Sequence, residues 1–122
     1  MDVGDLLDLC LCLPHAVDET PFGPDVVVVK VGGKIFALIP LDTMRPQVSV
    51  KASPANVIEI QETYPDATPA PHLNKKHWVR LYTDGKIPRA LVAEYISMSY
   101  QLVRKSLTKA VQAQLEASAA EK

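Results

Sequence analysis

Long apolar runs are missing from this chain. None approaches the roughly 18 residues that a membrane-crossing helix needs, so no membrane span is expected. Near the N-terminus Leu6, Leu7, Leu9, Leu11 and Leu13 are interrupted by Asp5 and Asp8, and no basic stretch precedes them. That pattern argues against a signal peptide and for an amphipathic first helix. Cysteine is almost absent. Cys10 and Cys12 would point about 200° apart on a helix, so they can neither pair nor share a metal. Two small, buried or half-buried thiols in a reducing cytoplasm are expected instead. Histidine is scarce too, at His15, His72 and His77. A zinc site from His72 and His77 lacks carboxylate or thiol partners at ligand spacing, so neither a metal nor another cofactor is expected. No glycine-rich strand-to-helix loop is present to cradle a phosphate.

A strong charge of either sign is also missing, the net charge being −1. That weighs against indiscriminate attraction to nucleic acid. The distribution is less even: residues 1–60 carry four basic and eight acidic side chains, and residues 61–122 carry nine and six. With 122 residues the chain suits one domain, 1–122, with one core.

Local signals are clear in several places. Asp2 suits the N-cap of a helix to about Leu13, before Pro14. After a short extended piece within His15–Pro24, the β-branched run Val26–Val31 meets Gly32-Gly33 and returns as Lys34–Ile39. Two glycines between strand-like runs predict a primed turn, with positive φ at both positions. Gln47–Lys51 alternates as a strand with Val48 and Val50 inward. Ser53-Pro54 opens a helix to about Tyr64. Pro65–Lys76 reads as a connector without structure of its own, and His77–Thr83 as a strand with His77, Val79 and Leu81 on one face and Trp78, Arg80 and Tyr82 on the other. Pro88 starts a helix to about Leu107, whose core arc is expected to hold Leu91, Val92, Tyr95, Ile96, Met98, Leu102 and Val103, with Arg104 opposite. The Ala/Gln/Glu-rich tail, 109–122, is expected as a frayed or loosely docked helix. The resulting class is α+β. Its order is α-β-β-β-β-α-β-α, an antiparallel sheet of about five strands with helices on one face.

Catalytic patterns do not emerge. Ser99 falls inside the apolar arc, where its hydroxyl is expected to bond back to the Tyr95 carbonyl. No histidine and acid are directed at it, so no nucleophile and no enzyme activity are expected. The unusual segment is His72-Leu-Asn-Lys-Lys-His-Trp78, which continues into Arg80 and Tyr82. Ammonium groups neutralise phosphates and aromatic faces stack on bases, so these residues suit an anion or nucleic-acid surface. Equally, Trp78 could pack under the connector with Lys75 and Lys76 solvated.

Several pieces together resemble the MmcQ/YjbR family, small bacterial proteins often labelled DNA-binding. They are Cys12-Leu-Pro, Glu19-Thr-Pro-Phe-Gly23, Gly33-Lys-Ile-Phe-Ala37, Lys51 before Ser53-Pro54, His72–Trp78, and Ser99-Tyr100 followed by Leu107. Leu107-Thr-Lys109 departs from the leucine-proline-lysine that the family pattern implies. The resemblance implies a secretion-chaperone-like fold and a cytoplasmic bacterial protein, and it supplies no catalytic residues. It marks Lys51, His72, Asn74, Lys75, Lys76, His77 and Trp78 as a shared surface, to which strand alternation adds Arg80 and Tyr82. Three functions follow as expectations. The first is binding of double-stranded DNA through that surface, and the second is docking of a protein partner. The third is a small ligand held beneath the 65–76 connector, with His72, Asn74 and His77 supplying polar groups.

Overall fold

The computed structural model describes residues 1–120, with side chains through residue 117. Asp2 caps α1 (Val3–Leu11). Its carboxylate accepts the Asp5 N–H at 2.9 Å, and the Asp5 carboxylate accepts the Asp2 N–H at 3.1 Å. This reciprocal box satisfies donors that the first turn leaves free. The helix stops at Cys12, slightly earlier than the leucine pattern predicts. Both thiols are free. Cys10 is buried, and desolvation first, then the neighbouring Cys12, pushes its pKa up to about 12. Cys12 departs from the expectation of burial: it is exposed and donates to the Leu9 carbonyl at 3.1 Å.

Six strands follow, one more than expected: β1 (Val17–Glu19), β2 (Val26–Val31), β3 (Lys34–Pro40), β4 (Gln47–Lys51), β5 (Ala67–Pro69) and β6 (Trp78–Tyr82). They form one antiparallel sheet in the order β1-β2-β3-β4-β6-β5. The extra strand, β5, lies inside the connector expected to be structureless. It pairs only with β6 and contributes the sheet edge, where Pro69 costs no ladder hydrogen bond. The β2–β3 turn has φ of 58° at Gly32 and 84° at Gly33, as the primed turn demands. Any Cβ at Gly32 would also come within 2.5 Å of the Leu107 side chain.

Register divides the sheet into two faces. Val27 and Val29 pair with Ile39 and Ala37, Ala37 with Val50, and Val50 and Val48 with Val79 and Leu81. This valine-rich face carries the helices α1, α2 (Pro54–Thr63) and α3 (Arg89–Ser106). Leu6, Val57, Ile60, Val92, Ile96, Tyr100 and Val103 close the core over it. A bulge breaks the alternation. Val29 pairs with Ala37 but Lys30 with Ile35, leaving Phe36 as the extra residue. Phe36 thereby turns inward and meets the Tyr100 ring edge-on at 5.3 Å.

Ser99 sits beside that bulge, and its hydroxyl does not bond to Tyr95. It donates to the Phe36 carbonyl at 2.6 Å and accepts the Lys51 N–H at 2.8 Å. Strands β3 and β4 are in register at Leu38–Ser49 and Ala37–Val50, so the next position would set Phe36 opposite Lys51. The serine hydroxyl spans that gap and completes the ladder from the helix side.

Two features of α3 differ from the expected arc. Met98 and Leu102 are exposed at 36% and 39%, whereas Ser99 and Tyr100 are buried. The sheet contacts the Val92–Ile96–Ser99–Val103 line, which leaves Met98 on the far edge of the apolar arc. Arg104 is half-buried rather than opposite the core, because its Nη1 donates to the Tyr100 hydroxyl at 2.6 Å. That hydroxyl in turn donates to the Pro14 carbonyl at 2.7 Å. Leu107 and Thr108 separate α3 from α4 (Lys109–Ala120), with the Thr108 hydroxyl accepting the Val111 N–H. The expected tail helix forms and docks through Leu115. Its residues 121 and 122 lie outside the described residues.

Candidate binding site on the open sheet face

Among the described residues no helix packs on the second face of the sheet. Alternation puts Val26, Val28, Leu38, Pro40, Gln47, Ser49, Lys51, Trp78, Arg80, Tyr82 and Thr68 on it. Two loops border this face. One is the Thr20–Gly23 turn, closed by the Gly23 N–H to the Thr20 carbonyl, which presents Phe22 at 69% exposure. The other follows β5, where His72 takes a positive φ of 63°. Histidine tolerates that region better than most side chains, and the turn brings Pro71, His72 and Leu73 together over the sheet.

Between the loops lies a cavity of about 450 Å³, within the usual size range for small-molecule sites. Val26, Leu38, Pro40, Gln47 and Ser49 form its floor, and Phe22, Pro71, His72 and Leu73 its rim. No Asp, Glu, Lys or Arg is among them. Ser49 and Gln47 are 3% and 7% exposed. Gln47 Nε2 reaches the Arg45 carbonyl at a long 3.4 Å. Among the described residues, Ser49 Oγ and Gln47 Oε1 have no protein partner, while every fully enclosed side-chain nitrogen and oxygen does. Both oxygens therefore keep an outlet to solvent, and both belong to side chains lining the cavity.

The residues expected to act together are divided between neighbouring places. Lys51 lies directly across from Trp78 on the open face, and Arg80 is flanked by Ser49 and Thr68. Arg80 Nε donates to Thr68 Oγ1 at 3.0 Å, and its guanidinium lies 4.8 Å from the Tyr82 ring centre. Arg45, which sequence reasoning passed over, also lies over the Tyr82 ring, 4.2 Å from its centre. Arg45 binds Asp84 in a fork, with Nη2 at 2.8 Å and Nε at 3.0 Å, and Asp66 at 3.1 Å. These contacts, Asp84 first, raise the arginine pKa. The Lys86 N–H, at 2.8 Å, and then Arg45 hold Asp66 below the usual carboxylate range, and Arg45 does the same for Asp84. The one positive charge of this corner is thus already engaged by two carboxylates.

The connector residues separate further. Asn74 Oδ1 accepts the Lys76 N–H, and the Asn74 carbonyl accepts the N–H groups of His77 and Trp78. Asn74 therefore builds the turn into β6. Lys75 and Lys76 are exposed on it. His77 falls on the Val79 side, away from the open face, and its carbonyl accepts the Ala52 N–H. Of the nine candidates only His72 borders the cavity. The missed floor residues did leave a signal. Val26–Val29 is apolar at every position, a pattern of strands covered on both faces.

Comparison with known proteins places this geometry in a family. A family model described as YjbR matches residues 11–102. The uncharacterised protein YbdF of Escherichia coli O157:H7 is 39% identical over 101 residues, 83% of each chain. The uncharacterised protein YjbR of Escherichia coli K12 is 32% identical over 101 residues, 83% of this chain and 86% of its own. The crystal structure of Deinococcus radiodurans protein DR2400, described with a DUF419 domain, superimposes with a TM-score of 0.88 at 36% identity. It covers 94% of this chain and 88% of that one. A Pseudomonas syringae protein shares the fold with a TM-score of 0.75 at 22% identity, over 84% of this chain and 99% of its own. With the family model spanning most of its length and the relatives matched over most of theirs, the chain belongs to the YjbR family.

Proposed function

We propose that this chain is a non-enzymatic binding domain whose ligand seats in the cavity on the open face of the sheet. One observation carries the reading. Ser49 and Gln47, more than nine-tenths buried, line a mainly apolar cavity, and neither Ser49 Oγ nor Gln47 Oε1 has a protein partner among the described residues. Apolar walls with a few convergent polar groups are the usual build of a small-molecule site. His72 is the single titratable side chain of the lining, so no acid–base pair stands there to carry out a reaction. A thermal-shift screen of neutral small molecules tests this with wild type and Leu38→Trp, whose indole fills the cavity from its floor. Compounds that raise the wild-type melting temperature are expected to lose their effect on the variant, whose own melting temperature changes little. Equal shifts in both proteins would move the ligand elsewhere.

A second reading, binding of double-stranded DNA, is favoured by one feature of the register. Lys51 faces Trp78 across β4 and β6, and the turn just before Trp78 carries Lys75 and Lys76. Arg80 and Arg45 are engaged with Thr68, Tyr82 and the two aspartates, which leaves three lysines for phosphates. The expected plot of log affinity against log salt then has a slope of about −3. Fluorescence anisotropy with a labelled duplex measures it. No binding at low salt, or binding indifferent to Lys75→Ala and Lys76→Ala, counts against DNA. A partner that adds a strand is disfavoured, since both edges, β1 and β5, are three residues long and β5 ends in Pro69.

A further inference from the structure

Resting on the cavity as the binding site, we infer that its ligand is an uncharged molecule with an apolar body and one polar end that carries an O–H or N–H, an alcohol or a primary amide in type. The argument starts from what the cavity withholds. No Asp, Glu, Lys or Arg lines it, and its one titratable side chain, His72, stands at the rim. The nearest guanidinium along the row, Arg80 opposite Ser49, has its Nε on Thr68 and its plane against Tyr82. Arg45, next to Pro46 and Gln47 in the chain, is committed to Asp66 and Asp84. Lys51 stands in the adjacent row beside Trp78, and Lys30 is paired with Glu19 at 2.6 Å. An ammonium group entering the cavity would lose its water and meet no counter-charge, and a carboxylate or phosphate would find only the His72 imidazole at the rim to answer it.

What the cavity supplies is equally selective. Gln47 Oε1 only accepts, so the ligand must bring a hydrogen to it. The Ser49 hydroxyl can donate or accept, so it takes either partner. An alcohol or primary amide satisfies both oxygens. A carboxylate satisfies Ser49 but sets a negative oxygen against Oε1, and an ammonium satisfies Oε1 but carries its charge into apolar walls. Val26, Leu38 and Leu73 contact the apolar body, and Phe22, 69% exposed, has apolar ring surface to lay over it.

Four probes with one eight-carbon chain separate these possibilities: 1-octanol, octanamide, octanoate and octylamine, titrated near neutral pH and followed by amide chemical shifts. The expected result is binding of 1-octanol and octanamide about tenfold or more tighter than either charged probe. Ser49→Ala should weaken the neutral probes several-fold, and Leu38→Trp should abolish their binding while the spectrum stays dispersed. Should octanoate or octylamine bind as tightly as 1-octanol and still respond to Leu38→Trp, the ligand class is wrong and the cavity reading survives. Should no probe shift residues of the floor, or should binding persist in both variants, the inference and the cavity reading fall together.

Discussion

Phe36→Ala is expected to remove about 3–5 kcal/mol from the unfolding free energy. The ring is fully buried, meets the Tyr100 ring at an interplanar angle of 84°, and sits on the bulge that joins β2, β3 and α3. Truncation deletes the largest side chain that the sheet sends into the core, along with the edge-to-face contact, which adds about 0.5–1.5 kcal/mol beyond its area. Domains of this size are stable by only about 5–15 kcal/mol in total, so the loss takes a large fraction. Differential scanning calorimetry should show the melting temperature falling by about 10 °C or more. A drop of less than about 1 kcal/mol would mean that the surrounding side chains collapse into the space and that the bulge holds without its ring.

Ser99→Ala is the second large effect, expected at about 2–4 kcal/mol although it deletes a single oxygen. That oxygen serves two backbone groups, the Phe36 carbonyl and the Lys51 N–H, at the point where β3 and β4 part. Removing it leaves both without their partner on the buried side of the sheet, each at about 1–3 kcal/mol. Denaturant unfolding measures the change, and hydrogen exchange localises it. The Lys51 amide should exchange much faster in the variant while Val79 and Leu81, in the middle of β6, stay protected. If Lys51 remains protected in Ser99→Ala, the strands close the gap themselves and the hydroxyl is dispensable. Because Lys51 and Ser49 share β4, the same variant also tests whether the cavity floor depends on this tie.

The Ser99 case shows where sequence reading stops. Periodicity marks the residue as inward-facing on α3, and that is correct. The partner that the sequence predicts is local, four residues back, because a sequence shows only local neighbours. The partners it has are 63 and 48 residues away. Arg45 was missed for the same reason. Its two aspartates stand 21 and 39 residues on, and no spacing rule connects them. The connector that hides β5 reads as a loop because Pro65, Pro69 and Pro71 punctuate it. The strand exists only because β6 offers a free edge.

What the sequence by itself determined were the features encoded in single residues and short periods. Asp2 and Ser53 cap their helices, Gly32-Gly33 makes the one turn that needs positive φ twice, and the alternation of β4 and β6 assigns each side chain to a face. Those are choices of local backbone geometry, which each residue's own sterics and hydrogen bonding decide. The tertiary structure alone decided which faces are covered, and so where the site is. It set a cavity between the Phe22 turn and the His72 turn, spent Asn74 on a turn and paired Arg45 with two aspartates. Burial, the pairing of charges and the convergence of two loops depend on distances between residues remote in the chain, and these arise only once the sheet has closed.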